Sequence, residues 1–303
     1  MPIPVRLNLL LVGVVVVSAL GLLLLSARVH GGARLLCGIA FSYVMLTGYA
    51  LLHEAAHDNL HPDPRFNHAL GVLVGLFFPV PFSVLRTTHQ GHHLRNRTDF
   101  EMFDLYYPTD SAWLRRLQWY GTLCGLFWPL VPLGTLLVAA CPPLLRLPLF
   151  ARLRSTSYLL GDIQAREVRA VRTEGVLILL LFGALGWLTR ADPGALLVPY
   201  ACFAFNWSTR QYVGHAFTRR HVIEGALNLR HNPLMSALLL HGEYDLNHHR
   251  RPDVSWLYLP RLCRPEDPRP SYLRQYLRMW GGPRLTHEPA PERLGEQQLS
   301  VHA

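Results

Sequence analysis

The 303-residue chain contains no lysine, although it carries 29 basic residues against 20 acidic ones and a formal net charge of +9. With arginine, leucine, proline, glycine and alanine all abundant, a GC-rich coding sequence is the simplest account, so no single arginine marks a site. No nucleic-acid motif accompanies the basic balance, and nucleic acid is not expected as a partner. The five cysteines, Cys37, Cys124, Cys141, Cys202 and Cys263, have no paired spacing, and four lie within apolar stretches. That excludes a disulfide frame and a thiolate metal site, and leaves small buried residues in a reducing compartment. No haem-binding or iron–sulfur segment is evident either.

What the chain does have is hydrophobic residues, aromatics included, which make up 50% of it and are concentrated in blocks. The stretches from Leu7 to Ala27 and from Leu35 to Leu52 each match the roughly 20 apolar residues needed to cross a bilayer core. A cleaved leader is the rival reading of the first. Its apolar run exceeds the roughly 7–15 residues of a signal peptide, and a second span follows directly. A third region runs from Gly175 to Trp187, breaks at Arg190-Ala-Asp-Pro193 and resumes from Gly194 to Trp207, as a helical hairpin would. Trp119 to Cys141, with Pro129 and Pro132, and Ala69 to Leu85, with Pro79 and Pro81, are expected to be bent, re-entrant or interfacial elements. The expectation is therefore an all-α integral membrane protein with four transmembrane helices, additional re-entrant or interfacial helices and a histidine-rich cap.

Arginines cluster at Arg146, Arg152, Arg154, Arg166, Arg169 and Arg172 and again after Arg250, whereas the first turn holds only Arg28 and Arg34. By the positive-inside rule the cap and both termini face the cytoplasm; a bacterial inner membrane is the expected setting. Residues 1–280 form one domain. Ser271 to Trp280 reads as a basic amphipathic helix for a membrane surface, and 281–303, rich in Gly, Pro, Glu and Gln, as a disordered tail.

Three histidine clusters lie just beyond the apolar runs: His53-Glu-Ala-Ala-His57, His89-Gln-Gly-His92-His93 and Asp245-Leu-Asn-His248-His249. On a helix, residues four apart share a face, so each cluster can aim several imidazoles at one point. Neutral imidazole suits zinc, copper, iron or nickel, so ligand type leaves the metal open. Ligand number narrows it. His53, His57, His89, His92, His93, His215, Asp245, His248 and His249 exceed what one tetrahedral zinc uses, and two metals are the natural reading. His61, one turn beyond His57, and His241, one turn before Asp245, are additional candidates. Glu54 is placed to orient an imidazole N–H.

The segments His53-Glu-Ala-Ala-His57-Asp-Asn-Leu-His61, Arg-Thr-Thr-His89-Gln-Gly-His92-His93 and Tyr-Asp245-Leu-Asn-His248-His249-Arg-Arg-Pro resemble the three histidine boxes of the integral-membrane fatty acid desaturase and hydroxylase superfamily. The resemblance runs from about Leu35 to Leu262. It implies two iron ions on the cytoplasmic face of a four-span bundle, O2 as cosubstrate and two electrons per turnover. It also places Gln211 and His215 where the family often has an extra ligand pair. Asp245 is the departure, a carboxylate where the family pattern begins its third box with histidine.

The implied reaction is oxidation of an unactivated C–H bond in an acyl chain carried by acyl carrier protein, coenzyme A or a lipid. Desaturation comes first, with hydroxylation, acetylenation and carotenoid-type oxygenation open. Electrons would come from a separate ferredoxin, rubredoxin or cytochrome. The rival from another class is an intramembrane zinc metalloprotease, since His53-Glu54-Ala-Ala-His57 matches H-E-x-x-H; it leaves the other two clusters without a purpose.

Overall fold

The computed structural model describes residues 1–126, 128–141, 163 and 167–294. Arg146, Arg152, Arg154 and Arg166 of the basic segment lie outside the described residues. The chain is mostly helical. Helices α1 (Val5–Ser26) and α2 (Gly31–Ala56) form one antiparallel hairpin, and α7 (Val168–Leu188) and α8 (Pro193–Ser208) form a second. Between them come α3 (Pro64–Gly75), α4 (Phe82–Arg95), α5 (Ala112–Leu123) and α6 (Leu130–Ala140), and after them the short α9 (Pro233–Leu238), α10 (Asp245–Arg250), a 3-10 turn (Trp256–Leu262) and α11 (Tyr272–Met279).

Among the described residues three helices, α1, α2 and α7, are long and apolar enough to cross a membrane. Their outward faces stay apolar: Leu10, Val14 and Val17 on α1, Leu35 and Leu36 on α2, and Leu179, Leu180 and Trp187 on α7 are exposed. Water would penalise so continuous an apolar surface, whereas lipid accommodates it. Helix α8, expected as the fourth span, has 16 residues, short of the roughly 20 that a perpendicular crossing takes.

Helix α2 is the centre of the packing, with α1 on one side and α8 on the other. It approaches α8 closely at Gly38, where a Cβ would sit 2.9 Å from Cys202 Sγ and 3.3 Å from Pro199 Cα. Phe41, Met45, Leu51 and Leu52 of α2 join Val15 and Leu23 of α1 and Phe203 and Trp207 of α8 in one core. Phe77, Phe78 and Phe82, from the α3–α4 region, extend it toward the histidines.

Both hairpin turns lie at the same end. Arg34, at the start of α2, grips Asp192, which also caps α8, through Nη2–Oδ2 at 2.5 Å and Nη1–Oδ1 at 3.4 Å. The opposite end of the bundle carries the histidines, and three buried polar groups tie it together. Asn8 of α1 donates to the carbonyls of Asn59 and Leu60 and accepts from Trp256 Nε1. Asn67 of α3 donates to Ala55 O, and its amide oxygen accepts from Leu60 N. Glu174 of α7 accepts from the backbone and hydroxyl of Ser83 at 2.8 and 2.7 Å, binding α7 to the start of α4. Buried polar groups without such partners would oppose folding.

The proline-bearing segments break as anticipated. The region expected over Trp119 to Cys141 is two helices, with Gly125 at φ +75° between them, and Ala69 to Leu85 divides at residues 76–81. One departure from an all-helical chain is a two-residue parallel pairing of Leu105–Tyr106 with Arg284–Leu285. Of the expected tail, residues 281–294 carry that pairing and a bond from Leu294 N to Leu94 O, while 295–303 lie outside the described residues.

Candidate metal centre

The last turn of α2 presents His53 and ends on His57. Helix α4 carries His89, His92 and His93, α10 carries His248 and His249, and His215 follows α8 by two turns of chain. These eight side chains meet in two adjacent groups, His53, His57, His89, His93 and His248 in the first and His92, His215 and His249 in the second, with ligand-capable atoms within 4.8 Å of one another in each.

In the first group the Nε2 atoms of His57 and His89 are 2.8 Å apart, those of His89 and His93 3.2 Å, and those of His93 and His248 3.0 Å. In the second, His92 and His249 approach to 3.3 Å through Nε2, and Asp245 places Oδ2 3.1 Å from His215 Nε2 and Oδ1 3.9 Å from His249 Nε2. The groups touch through the His93 and His249 rings, whose centroids are 4.5 Å apart. Gly214 makes room for the carboxylate, since a Cβ there would overlap Asp245. Adjacent residues thus serve different groups: His92 and His93, and His248 and His249, are each separated by about 100° around their helix.

Partners on the far ring nitrogens set the orientation. His92 Nδ1 lies 3.2 Å from Glu101 Oε2, and His215 Nδ1 donates to Gly225 O at 3.2 Å. The third cluster is fixed by a buried amide pair: Asn228 donates to Asn247 Oδ1 at 2.9 Å, and Asn247 donates to Leu259 O at 2.9 Å. Glu54 is buried, but its Oε1 is 3.8 Å from His53 Nδ1 and its Oε2 accepts from Trp256 N at 3.0 Å. It therefore ties the third cluster's flank to α2 and makes no hydrogen bond to the imidazole.

Burial and then mutual repulsion among imidazoles push His57, His89, His93, His248 and His249 well below the ordinary histidine value. Burial also lowers His215, against the pull of Asp245. His92 moves the other way: burial lowers it, but the Glu101 hydrogen bond and charge outweigh this and raise it. Glu101 is correspondingly lowered, its burial offset by His92.

The donor set fits metal ions. A neutral imidazole offers one N–H and one lone pair, so a ring of Nε2 atoms 2.8–3.3 Å apart cannot satisfy every lone pair with a proton. His248 Nδ1 is buried without a partner. Cations placed among the nitrogens remove that conflict, and nine donors in two groups match two ions and exceed a single tetrahedral zinc. The H-E-x-x-H match has no independent site, because His53 and His57 share their group with His89, His93 and His248 and Glu54 is turned to Trp256.

The remaining candidates stand apart. His61 accepts from Asp63 N through Nδ1 and packs on Phe66, Gln211 is exposed, and His241 lies beside Trp256 in another cluster. Glu101, Asn228 and Asn247 were not singled out from the sequence. Glu101 has no motif to mark it, although Asn247 lies inside the third cluster's own spacing. His68 Nε2 faces Glu174 Oε1 at 3.2 Å.

The model of the fatty acid desaturase family matches residues 29–282, most of the chain, and the chain belongs to that family. Its activity is accordingly oxidation of the desaturase or hydroxylase type, with a lipid acyl substrate. No curated protein matches it.

Proposed function

We propose that this fatty acid desaturase family member is a membrane-bound, O2-dependent diiron enzyme that removes two hydrogens from an unactivated C–C segment of a lipid acyl chain, leaving an alkene. The carrying observation is the convergence of eight imidazoles, from three separated boxes and His215, into two touching groups. His53, His57, His89, His93 and His248 are assigned to one iron, and His92, His215, His249 and Asp245 to the other. Given O2 and two electrons, such a centre supplies an oxidant able to break a C–H bond homolytically, which no acid, base or nucleophile of the protein can do.

The chain's own residues prepare that centre. Burial keeps most of the imidazoles neutral, the form in which a ring nitrogen can donate to a metal. Glu101 and Gly225 O fix the rings of His92 and His215, and Asn228 with Asn247 holds His248 and His249 in place. Asp245 adds an anionic oxygen donor beside His215. The core beneath, including Phe77, Phe78 and Trp207, keeps water away and offers an acyl chain an apolar environment.

Helix α8 serves as the fourth span in this reading. It packs along α2, and Arg34–Asp192 brings its turn level with the α1–α2 turn. Both hairpins then start and end on one side, which the arginine distribution assigns to the cytoplasm. Electrons come from a separate ferredoxin-, rubredoxin- or cytochrome-type donor. The test is fatty acid profiling of cells with and without the gene, together with metal analysis of the purified protein. A new double bond and about two irons per chain are expected. Hydroxylated product would overturn the desaturase assignment, and about one zinc without iron would overturn the oxygenase.

A further inference from the structure

A third group of metal-capable side chains lies apart from the proposed diiron centre. His231 precedes α9, His241 and Glu243 follow it, and their ligand-capable atoms lie within 4.8 Å of one another. Glu243 is 8% exposed, and its two carboxylate oxygens are treated very unequally. Oε1 accepts from Ser236 Oγ at 2.5 Å and faces His231 Nδ1 at 2.9 Å, whereas Oε2 is buried with no partner. A buried carboxylate oxygen without a donor is costly, and what it lacks is a cation or a hydrogen-bond donor.

The surroundings leave lone pairs, not protons, to meet that oxygen. Ser236 Oγ lies 2.5 Å from both His241 Nδ1 and Glu243 Oε1. Its single proton can serve only one of the two, so it cannot satisfy both the His241 Nδ1 lone pair and the carboxylate. The nitrogens that converge on the carboxylate are the Nδ1 atoms, His231 at 2.9 Å and His241 at 3.9 Å from Glu243 Oε1, and in the Nε2–H tautomer each turns a lone pair toward that anion, a conflict that a cation among them removes. A cavity of about 360 Å³ opens beside them, lined by His231, Ser236, His241 and Trp256 on its polar side and by Leu7 and Leu11 of α1 opposite. It reaches the two imidazoles, while Glu243 lies behind them outside its lining.

We propose that His231, His241 and Glu243 bind a third, mononuclear divalent metal ion, zinc by donor set, separate from the diiron centre. Two imidazoles and one carboxylate with an open fourth position are a recurrent zinc arrangement. The free carboxylate oxygen rules against an anion. Such an ion fastens the chain around Leu229, already bonded to Glu243 O, to the turn that leads into Asp245. Its role is to pin the third histidine box where α10 begins, and its presence does not depend on what the other two groups hold.

The test is equilibrium dialysis of the detergent-purified full-length protein against Zn²⁺, counting zinc and iron per chain in wild type, His231→Ala, His231→Cys and Glu243→Gln. His231 is half-exposed, so its substitution leaves the packing intact. His231→Ala and Glu243→Gln should each hold about one zinc fewer with iron unchanged. Affinity should fall by more than the roughly 10–100-fold that losing an orienting partner costs. His231→Cys, which keeps a zinc donor, should regain the ion. Equal zinc in all four proteins overturns the proposal, as does loss of iron in step with zinc. If the diiron assignment fails and no iron is present, the zinc difference between wild type and His231→Ala still decides this site.

Discussion

The two imidazole groups are neighbours, yet they manage charge in opposite ways. The first gathers five histidines without a carboxylate among them, and the four whose shift is evident, His57, His89, His93 and His248, are all pushed down by burial and by one another. The second has three histidines, with Asp245 in contact and Glu101 behind His92. Its members diverge, His92 raised while His215 and His249 are lowered. The second group therefore has carboxylates on hand, Asp245 and Glu101, to offset positive charge. The first can be balanced only by something that arrives with positive charge and accepts lone pairs.

The most damaging way to test this contrast is His93→Ala. His93 Nε2 sits between those of His89 and His248, and its ring packs on His249, so its loss should harm both groups. Activity should fall by more than about 100-fold, beyond the range for an orienting residue, and metal analysis should register loss of iron. Retention of both irons with modest loss of activity would mean that the groups are not joined through His93.

Substitutions in the second group should be more selective. Glu101→Gln removes the charge that orients and raises His92, and should weaken metal binding by about 10–100-fold, with the second ion lost first in a chelator titration. Asp245→Ala should do the same, whereas Asp245→His should restore binding as an all-imidazole site. If Asp245→Ala leaves iron content and product unchanged, the carboxylate is not a ligand and the contrast between the groups rests on Glu101 alone.

Much of this centre is legible in the sequence, because helical spacing is local. His53 with His57 and His89 with His93 can be paired by counting four residues. The division between His92 and His93 is also latent in helix geometry, although which group each joins depends on where α2 and α10 come to rest. Glu101 is not legible at all, since a carboxylate nine residues beyond His92 acquires its meaning only when the loop after α4 folds back. The helices show the same division. Hydropathy locates α1 and α2 well, but it starts the third long helix at Gly175, whereas α7 begins at Val168. Backbone hydrogen bonding continues through Arg169, Arg172 and Glu174 regardless of polarity, and Glu174 is needed at Ser83. His61, which spacing proposes, and Gln211, which the family resemblance proposes, lie outside both groups: Pro62 ends the helical register for one, and the other is exposed.

A third measurement uses pH. A histidine whose folded-state value lies below the unfolded value of about 6.5 binds fewer protons when folded. Its contribution is present above that value and is lost as pH falls through the window beneath it. The depressed members His57, His89, His93, His248, His249 and His215 all act in this sense. His92 acts oppositely: it stabilises at low pH, and its contribution is lost as pH rises through its raised value. The metal-free protein should thus lose thermal stability steadily as pH falls from about 6.5 toward 5. Glu101→Gln should steepen the fall, because without the Glu101 hydrogen bond and charge burial pushes His92 down like its neighbours. A flat profile would contradict the uncompensated character of the first group.

The smallest effects should come from groups that hold the frame and leave the charge alone. Asn8→Ala removes a buried amide that joins α1 to Asn59, Leu60 and Trp256, and should cost about 1–3 kcal/mol. At the far end, Asp192→Asn weakens a partly exposed pair with Arg34 and should cost less than Asn8→Ala. Neither should change the order in which the two ions are lost to a chelator. If Asp192→Asn nevertheless altered that order, the difference between the groups would be set by how the hairpins lie against each other, and not by Asp245 and Glu101. Because Arg34–Asp192 sits at the opposite end of the bundle from every imidazole in the centre, unchanged metal release in Asp192→Asn beside altered release in Glu101→Gln would locate the asymmetry in the carboxylates themselves.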